Sequence, residues 1–267
     1  MDFKLLHSWR AIQSEASDRL VFVICGLLLF SATCRAQDLP PDFVFLRDVD
    51  SSIVQDIRYA GKFNFLGRPA PGYSAPECVL HRDAASAIAG AQLRMNEKGF
   101  RLKVFDCYRP HKATLAFMDW TKSPDTNEHP EDFYPAMSKK ALGEGKYISP
   151  SSTHSLGIAV DVTVVRPTES FLPTKVRGGG PCNGPFDTRA SESSLDFGTT
   201  FDCFAEQSKT NYGALSEESR ANRKLLLDIM RNNGFDNYAR EWWHFQLKTI
   251  PKDLKAQNFD IPYRQKR

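Results

Sequence analysis

The residue types best able to do chemistry lie in two short segments, 152–161 and 241–244, which supply two imidazoles and two carboxylates. His154, Asp161 and His244 would make a ligand set of two histidines and one aspartate. A catalytic zinc site uses three such protein ligands and leaves one position open. The pattern therefore indicates a catalytic Zn²⁺ site, with one ion per chain.

The spacing within each segment sets a condition on the backbone. Gly157 would let the chain bend between His154 and Asp161, so that both side chains face one point. Glu241 precedes His244 by three residues, and regular strand alternation would put these two on opposite faces. Glu241 can act at the metal only if the chain bends or bulges at that point. Alternatively, each histidine is structural and 241–244 is an aromatic interface strand.

The elements that hold these residues follow from hydrophobic periodicity and turn residues. Helices are predicted at 82–98, 111–120 and 216–233. Strands are predicted at 53–59, 101–108, 158–165 and 241–247. We expect a polar surface excursion or lid at 121–150 and a long loop at 166–212. Because strands and helices do not alternate regularly, the fold class is α+β.

Composition excludes several classes of protein. The chain has 267 residues, of which 41% are hydrophobic and 25% charged, values typical of a globular protein rather than a disordered or fibrous one. The net charge of +3 is too small for a nucleic-acid footprint, so no nucleic-acid partner is expected.

An apolar run at 20–30 follows basic residues and precedes small ones. It is shorter than the ~20 residues that cross a bilayer, and it is typical of a secretory signal peptide. We predict a signal peptide at 1–36, cleaved after Ala36, and a protein that is exported, periplasmic or secreted, with no stable membrane span after cleavage. A buried core helix, an uncleaved anchor and a lipoprotein at Cys34 are the alternatives.

The region after Ala36 holds four cysteines, Cys78, Cys107, Cys182 and Cys203. An even number in an oxidising compartment suggests disulfides, with three connectivities. We prefer Cys78–Cys107 and Cys182–Cys203, because each pair encloses a plausible loop.

The motif Ser-x-His-x-x-Gly-x-Ala-x-Asp at 152–161, followed by Glu-x-Trp-His at 241–244, resembles the zinc D,D-peptidases related to the Hedgehog N-terminal domain. Further segments make the chain most similar to the D-alanyl-D-alanine dipeptidases within that group: Arg-Tyr-Ala at 58–60, Asn-Phe-Leu-Gly at 64–67, Asp-Cys-Tyr-Arg-Pro at 106–110 and Asp-Phe-Gly-Thr-Thr-Phe-Asp at 196–202. The resemblance covers about residues 45–250. It implies a single Hedgehog/DD-peptidase-like domain at 37–267, with a central antiparallel sheet and flanking helices.

The resemblance also implies an activity, the zinc-dependent hydrolysis of D-alanyl-D-alanine, a small D,D-dipeptide, to two D-alanines. His154, Asp161 and His244 match the zinc ligands of the family. The matches for the remaining roles are Glu241 as general base, Arg109 as stabiliser of the oxyanion, and Ser152 and Asp202 as substrate-binding residues, with Asp202 facing the substrate ammonium. Lys209 departs from the family pattern, where a histidine is expected.

Other functions fit the same ligand set. A zinc D,D-carboxypeptidase or peptidoglycan endopeptidase would need an open groove and no anchor for a free amino group. A non-catalytic zinc-binding module would need neither Glu241 nor Arg109. A cell-wall-binding protein with a structural zinc would normally show four protein ligands. For Arg109 alone, the alternative is a surface salt bridge of little energetic value.

Overall fold

The computed structural model describes residues 39–125, 129–145, 147–168 and 180–265, which belong to one compact unit. The predicted signal peptide at 1–36 lies outside the described residues, as does the 169–179 part of the predicted long loop. Across the described ranges, no helix combines the length and the apolar character needed to cross a membrane.

Seven strands and five α-helices are present in the described part of the chain. The strands are β1 (Phe43–Phe45), β2 (Val54–Gln55), β3 (Val79–His81), β4 (Arg101–Asp106), β5 (Ala159–Val165), β6 (Phe235–Asn237) and β7 (His244–Leu247). The helices are α1 (Leu46–Val49), α2 (Arg82–Asn96), α3 (His111–Lys122), α4 (Lys139–Glu144) and α5 (Glu217–Asn232). Short 3₁₀ turns include Arg58–Ala60 and Thr153–Leu156.

The central sheet has five strands in the order β2-β4-β5-β7-β6, and β1 pairs with β3 in a separate two-stranded sheet. All seven residues of β5 are buried, as expected for an apolar strand at the centre of a sheet. The pairings of β5 with β4 and β7, and of β6 with β7, are antiparallel, which confirms the α+β prediction. The pairing of β2 with β4 is parallel.

The two long helices form close to where the sequence predicts them. At α5, the Ser216 hydroxyl accepts a hydrogen bond from the Ser219 backbone N–H at 3.0 Å, the expected N-cap geometry. Gly99 and Gly234 follow α2 and α5 with φ of 77° and 89°, the left-handed conformation that commonly ends a helix.

Three secondary-structure predictions are corrected. The alternation at 53–59 yields only the two-residue strand β2, because the chain turns into the 3₁₀ segment Arg58–Ala60. The segment 121–150 is not simply a polar excursion: it contains α4, capped by the Ser138 hydroxyl, and buries Phe133, Tyr134, Leu142 and Ile148. The last strand begins at His244 rather than Glu241.

Both preferred disulfides are confirmed. Cys78 on the segment entering β3 is joined to Cys107 directly after β4. Cys182 and Cys203 close a loop of 21 positions before α5. The second bridge pins the segment that carries Asp202 to the body of the protein.

Candidate active site

The three predicted metal ligands meet where β5 and β7 lie side by side. Asp161 on β5 faces His244, the first residue of β7, in the antiparallel register. His154 lies in the turn Thr153–Leu156 just before β5. Gly157 follows with φ of 73°, and a Cβ there would lie 2.3 Å from the Phe43 ring. Glycine is therefore required for the turn that returns His154 towards Asp161.

The ligand atoms form a nearly equilateral triangle. His154 Nε2 lies 3.3 Å from Asp161 Oδ1 and 3.1 Å from His244 Nδ1, and the latter two atoms are 3.1 Å apart. Tetrahedral Zn²⁺ with bonds of about 2.0–2.1 Å separates its ligand atoms by roughly 3.3 Å. The donor set and its spacing therefore fit one such ion, and these residues form a possible metal site.

A hydrogen bond on the side of the ring away from the predicted metal position fixes the orientation of His154. Its Nδ1 lies 2.6 Å from the Cys107 carbonyl oxygen, which can only accept, so Nδ1 carries the proton and donates it. The Nε2 lone pair is then free to face the metal position. Acceptors of this kind commonly set the tautomer of a metal-binding histidine. Although burial acts to raise the pKa of the Asp161 carboxyl, the adjacent histidines outweigh it and hold that pKa below the usual range.

Glu241 lies in a turn immediately before β7. Its backbone N–H donates to the Tyr238 carbonyl at 3.0 Å, and the His244 N–H donates to the Glu241 carbonyl at 3.3 Å. This turn supplies the bend that the sequence requires, and it brings Glu241 Oε2 to 4.0 Å from His244 Nδ1. Burial raises the pKa of the Glu241 carboxyl to about 7, partly opposed by His244. A carboxyl group whose pKa lies near 7 is suited to exchanging a proton with water at neutral pH.

Arg109 is mostly shielded from solvent beside the predicted ligands, with a side chain 13% exposed, which overturns the interpretation as a surface salt bridge. Its Nε and Nη2 donate to Asp106 Oδ2 at 3.0 and 2.8 Å, and its guanidinium carbon lies 4.8 Å from the centre of the Phe117 ring. Asp106 is fully buried, and its other oxygen accepts from the Tyr73 hydroxyl and the Cys107 N–H. Asp106 therefore holds the guanidinium in one orientation.

A shift in register between Val104 and Asp106 explains how Asp106 reaches this position. The extra residue makes Asp106, rather than Phe105, pair with Asp161. Bulges of this kind redirect side chains and are common next to active sites. Asp106 belongs to the Asp-Cys-Tyr-Arg-Pro segment at 106–110 but was not predicted from the sequence as a site residue.

All seven residues predicted for the site line one cavity of about 590 Å³. Ser152 lies at its edge and caps the turn of His154, whose N–H donates to the Ser152 hydroxyl at 3.2 Å. Lys209 instead pairs with Glu206 and is 43% exposed. Aromatic and apolar side chains complete the wall: Tyr59, Phe65, Phe117, Met118, Tyr147, Ile148, Phe204 and Tyr238.

Asp202 lies beside Tyr59 in the wall of the cavity. The Tyr59 hydroxyl donates to Asp202 Oδ2 at 2.6 Å, and Asp202 is only 5% exposed. Burial and the nearby Asp161 carboxylate raise the pKa of Asp202 well above its ordinary value. Because burial disfavours the charged form of a carboxyl group and a nearby positive charge favours it, Asp202 is suited to binding a cation. Tyr59 received no role in the sequence analysis, although it lies in the quoted Arg-Tyr-Ala segment.

A family model and several known proteins match the chain. The D-ala-D-ala dipeptidase family model matches residues 40–172 and 188–262. D-alanyl-D-alanine dipeptidases are similar to the chain in Streptomyces coelicolor (31% identity, covering 83% of this chain and 98% of the relative) and in Enterococcus faecium (29%, covering 82% and 97%). The solved structure of the LdcB LD-carboxypeptidase matches at 14% identity, with a TM-score of 0.35, over 79% of this chain and 70% of that one.

The family match extends over both motif segments and the residues between β4 and β7. The relatives are matched over nearly their whole length, so the similarity is not confined to a shared submotif. Together with the site geometry, these matches identify an enzyme of the metallopeptidase class. The chain belongs to the D-Ala-D-Ala dipeptidase family of peptidases.

Proposed function

We propose that this protein is a zinc-dependent dipeptidase that hydrolyses D-alanyl-D-alanine to two molecules of D-alanine. The observation that carries the proposal is the triangle of His154, Asp161 and His244 in the same cavity as Glu241 and Arg109. Curated relatives bear the name D-alanyl-D-alanine dipeptidase. Neither a structural metal nor a binding module requires a buried base and a buried guanidinium beside the ligands.

His154, Asp161 and His244 would hold the ion. When bound, Zn²⁺ supplies Lewis-acid polarisation of a carbonyl and lowers the pKa of water from 15.7 to about 7. Glu241 takes a proton from the attacking water and passes it to the nitrogen of the leaving D-alanine. Its raised pKa, about 7, lets the same carboxyl accept and then return the proton near neutral pH.

Arg109 stabilises the negative charge that develops on the oxygen of the scissile carbonyl. Two of the five guanidinium N–H groups are used by Asp106, which leaves donors for the substrate. The group is rigidly held and mostly buried, so its charge acts in a medium of low dielectric constant without reorganisation.

Asp202 and Tyr59 would bind the free ammonium group of the dipeptide. A buried carboxylate that accepts one hydrogen bond from Tyr59 still has acceptor sites for a cation. A buried carboxylate in the cavity wall stabilises a substrate whose amino group is free and positively charged. A longer peptide has no free amino group to make this contact, because its chain continues from that nitrogen. This favours the dipeptidase over a polymer-cleaving enzyme.

We also propose that residues 1–36 direct export and that 37–267 is the mature catalytic domain. Two disulfides in the described structure are consistent with folding in an oxidising compartment. Mass spectrometry of the N-terminus of the exported protein tests this proposal. A mature N-terminus at Gln37 supports it, and an intact Met1 contradicts it.

The activity is tested by D-alanine release from D-Ala-D-Ala, with and without a chelator. Glu241→Gln keeps the shape of the side chain but removes the base, so kcat should fall by about 10²–10⁴ while bound zinc stays stoichiometric. Glu218→Gln, at the exposed start of α5, is the control and should leave kcat unchanged. No release by folded, zinc-loaded protein would refute the dipeptidase; release from a pentapeptide instead would identify a D,D-carboxypeptidase.

A further inference from the structure

A buried ion pair joins the segment that carries Tyr59 to the loop that carries Asp202. Arg58 Nη2 is 3.1 Å from Glu192 Oε1, and each side chain is 4% exposed. The two residues are 134 positions apart in the chain. Burying two charges costs much of what their attraction returns, so such a pair is weak evidence of stabilisation by itself. What the pair connects is more informative.

Glu192 holds the residue before Asp202. Its two carboxylate oxygens accept from the Phe201 backbone N–H at 3.2 and 3.1 Å. Asp202 has a φ of 56°, a left-handed conformation that a non-glycine residue keeps only where its surroundings impose it. On its other side, Cys203 is fixed by the disulfide to Cys182. Glu192 is therefore one of the restraints on the backbone that orients the Asp202 carboxylate.

Arg58 is the residue directly before Tyr59, and it is held by several contacts. Its Nε also donates to Asp56 at 3.1 Å, and its carbonyl oxygen accepts from the Asn64 side-chain amide at 3.2 Å. The bridge from Arg58 through Glu192 to the Phe201 amide thus runs beside the Tyr59–Asp202 hydrogen bond, one residue earlier on each segment. The bridge and that hydrogen bond therefore join the same two segments of the chain.

We propose that Glu192 is a positioning residue that sets the separation of Tyr59 and Asp202, and through it the binding of the substrate ammonium group. Glu192 is not among the residues that line the cavity, so it acts through the two segments rather than on the substrate. The inference rests on the proposed function and deepens it: the ligand concerned is the free α-ammonium of a dipeptide.

The test compares Glu192→Gln with a matched control in the same loop. Asp196 also pairs with an arginine, Arg189, and accepts a backbone N–H, that of Gly198 at 2.7 Å, but it makes no bridge to the Tyr59 segment. Asp196→Asn is therefore the same chemical change without the proposed consequence. KM and kcat for D-Ala-D-Ala, zinc content and the thermal midpoint are measured for wild type and both variants.

We expect Glu192→Gln to raise KM by about 10- to 100-fold, the scale of a lost hydrogen bond to a charged group, with kcat within about threefold. The dissociation constant of the dipeptide, measured in the Glu241→Gln background where it is not turned over, should rise by the same factor. Asp196→Asn should lower the thermal midpoint and leave KM unchanged.

An unchanged KM in Glu192→Gln, or an equal rise in Asp196→Asn, would overturn the inference and leave only a structural role. If Glu192→Gln does not fold, Glu192→Asp, which keeps the charge but shortens the reach, replaces it, and the same KM criterion applies. Wild-type protein that binds zinc but does not turn over D-Ala-D-Ala would refute the proposed function, and the inference with it. Active wild type with an unaffected Glu192→Gln would refute the inference alone.

Discussion

Replacing Arg109 by lysine separates the proposed catalytic role of its guanidinium from its structural role. Lysine keeps a positive charge beside Asp106 but replaces the planar fork with a single ammonium. In the structure, Nε and Nη2 of Arg109 both point at Asp106 Oδ2, so the other N–H groups are directed by that contact. A lysine that pairs with Asp106 cannot offer the substrate oxygen a second donor in a fixed direction.

The magnitudes follow from burial. Loss of one oriented donor to a developing oxyanion typically lowers kcat by about 10²–10³, or roughly 2.7–4 kcal/mol. Stability should change little in Arg109→Lys, because Asp106 keeps a cationic partner. Arg109→Ala differs: Asp106 is fully buried, and removing its charge partner should cost about 3–5 kcal/mol of unfolding free energy. For a domain of this size that lowers the thermal midpoint by roughly 6–20 °C.

The assay combines D-alanine release with thermal unfolding of zinc-loaded wild type and both variants. We expect the lysine variant to have the thermal midpoint of the wild type but a lower kcat. The alanine variant should have both a lower thermal midpoint and a lower kcat. A lysine variant with kcat within twofold of wild type would refute the role of the fork. An alanine variant as stable as wild type would refute the energetic importance of its pairing with Asp106.

Three further predictions concern zinc binding, the proposed ammonium site and the loop closed by the second disulfide. His154→Ala should lose stoichiometric zinc in equilibrium dialysis, because one of three ligands is gone; retained zinc would contradict the assignment. Tyr59→Phe should raise KM for D-Ala-D-Ala several-fold, since Asp202 loses the donor at 2.6 Å, and an unchanged KM would argue against the proposed ammonium site. Serine at both Cys182 and Cys203 should lower the unfolding free energy by about 3 kcal/mol, from the 21-position loop, as measured by denaturant titration.

The parts of the fold that were predictable are those specified by local pattern. The helix ending at Gly99 and the helix capped by Ser216 have their signals within a few residues of each end. The apolar run at β5 is long enough to identify a central strand. The helix α4 was missed because it spans only six residues, and Pro and polar residues surround it.

The candidate site divides in the same way. Motif residues such as His154 and Glu241 could be selected from the sequence, and even the need for a bend before His244 followed from spacing. The pairing of Asp106 with Arg109 depends on a bulge that has no distinct sequence signal. The bridge between Glu192 and Arg58 spans 134 positions, so only the folded chain brings the two together.

The position of the Cys78–Cys107 disulfide suggests that disulfide formation precedes zinc binding as the protein matures. Cys107 supplies the carbonyl that sets the His154 tautomer, and its N–H donates to Asp106. Cross-linking to Cys78 therefore restrains the carbonyl acceptor of His154, a proposed metal ligand. We expect the oxidised chain to take up Zn²⁺ more tightly than the reduced one, so that thiol oxidation prepares the protein for metallation; equal zinc affinity of the two forms would disprove this. Protein produced in a reducing cytosol would then bind less than one Zn²⁺ per chain, even if the rest of the domain were correctly folded.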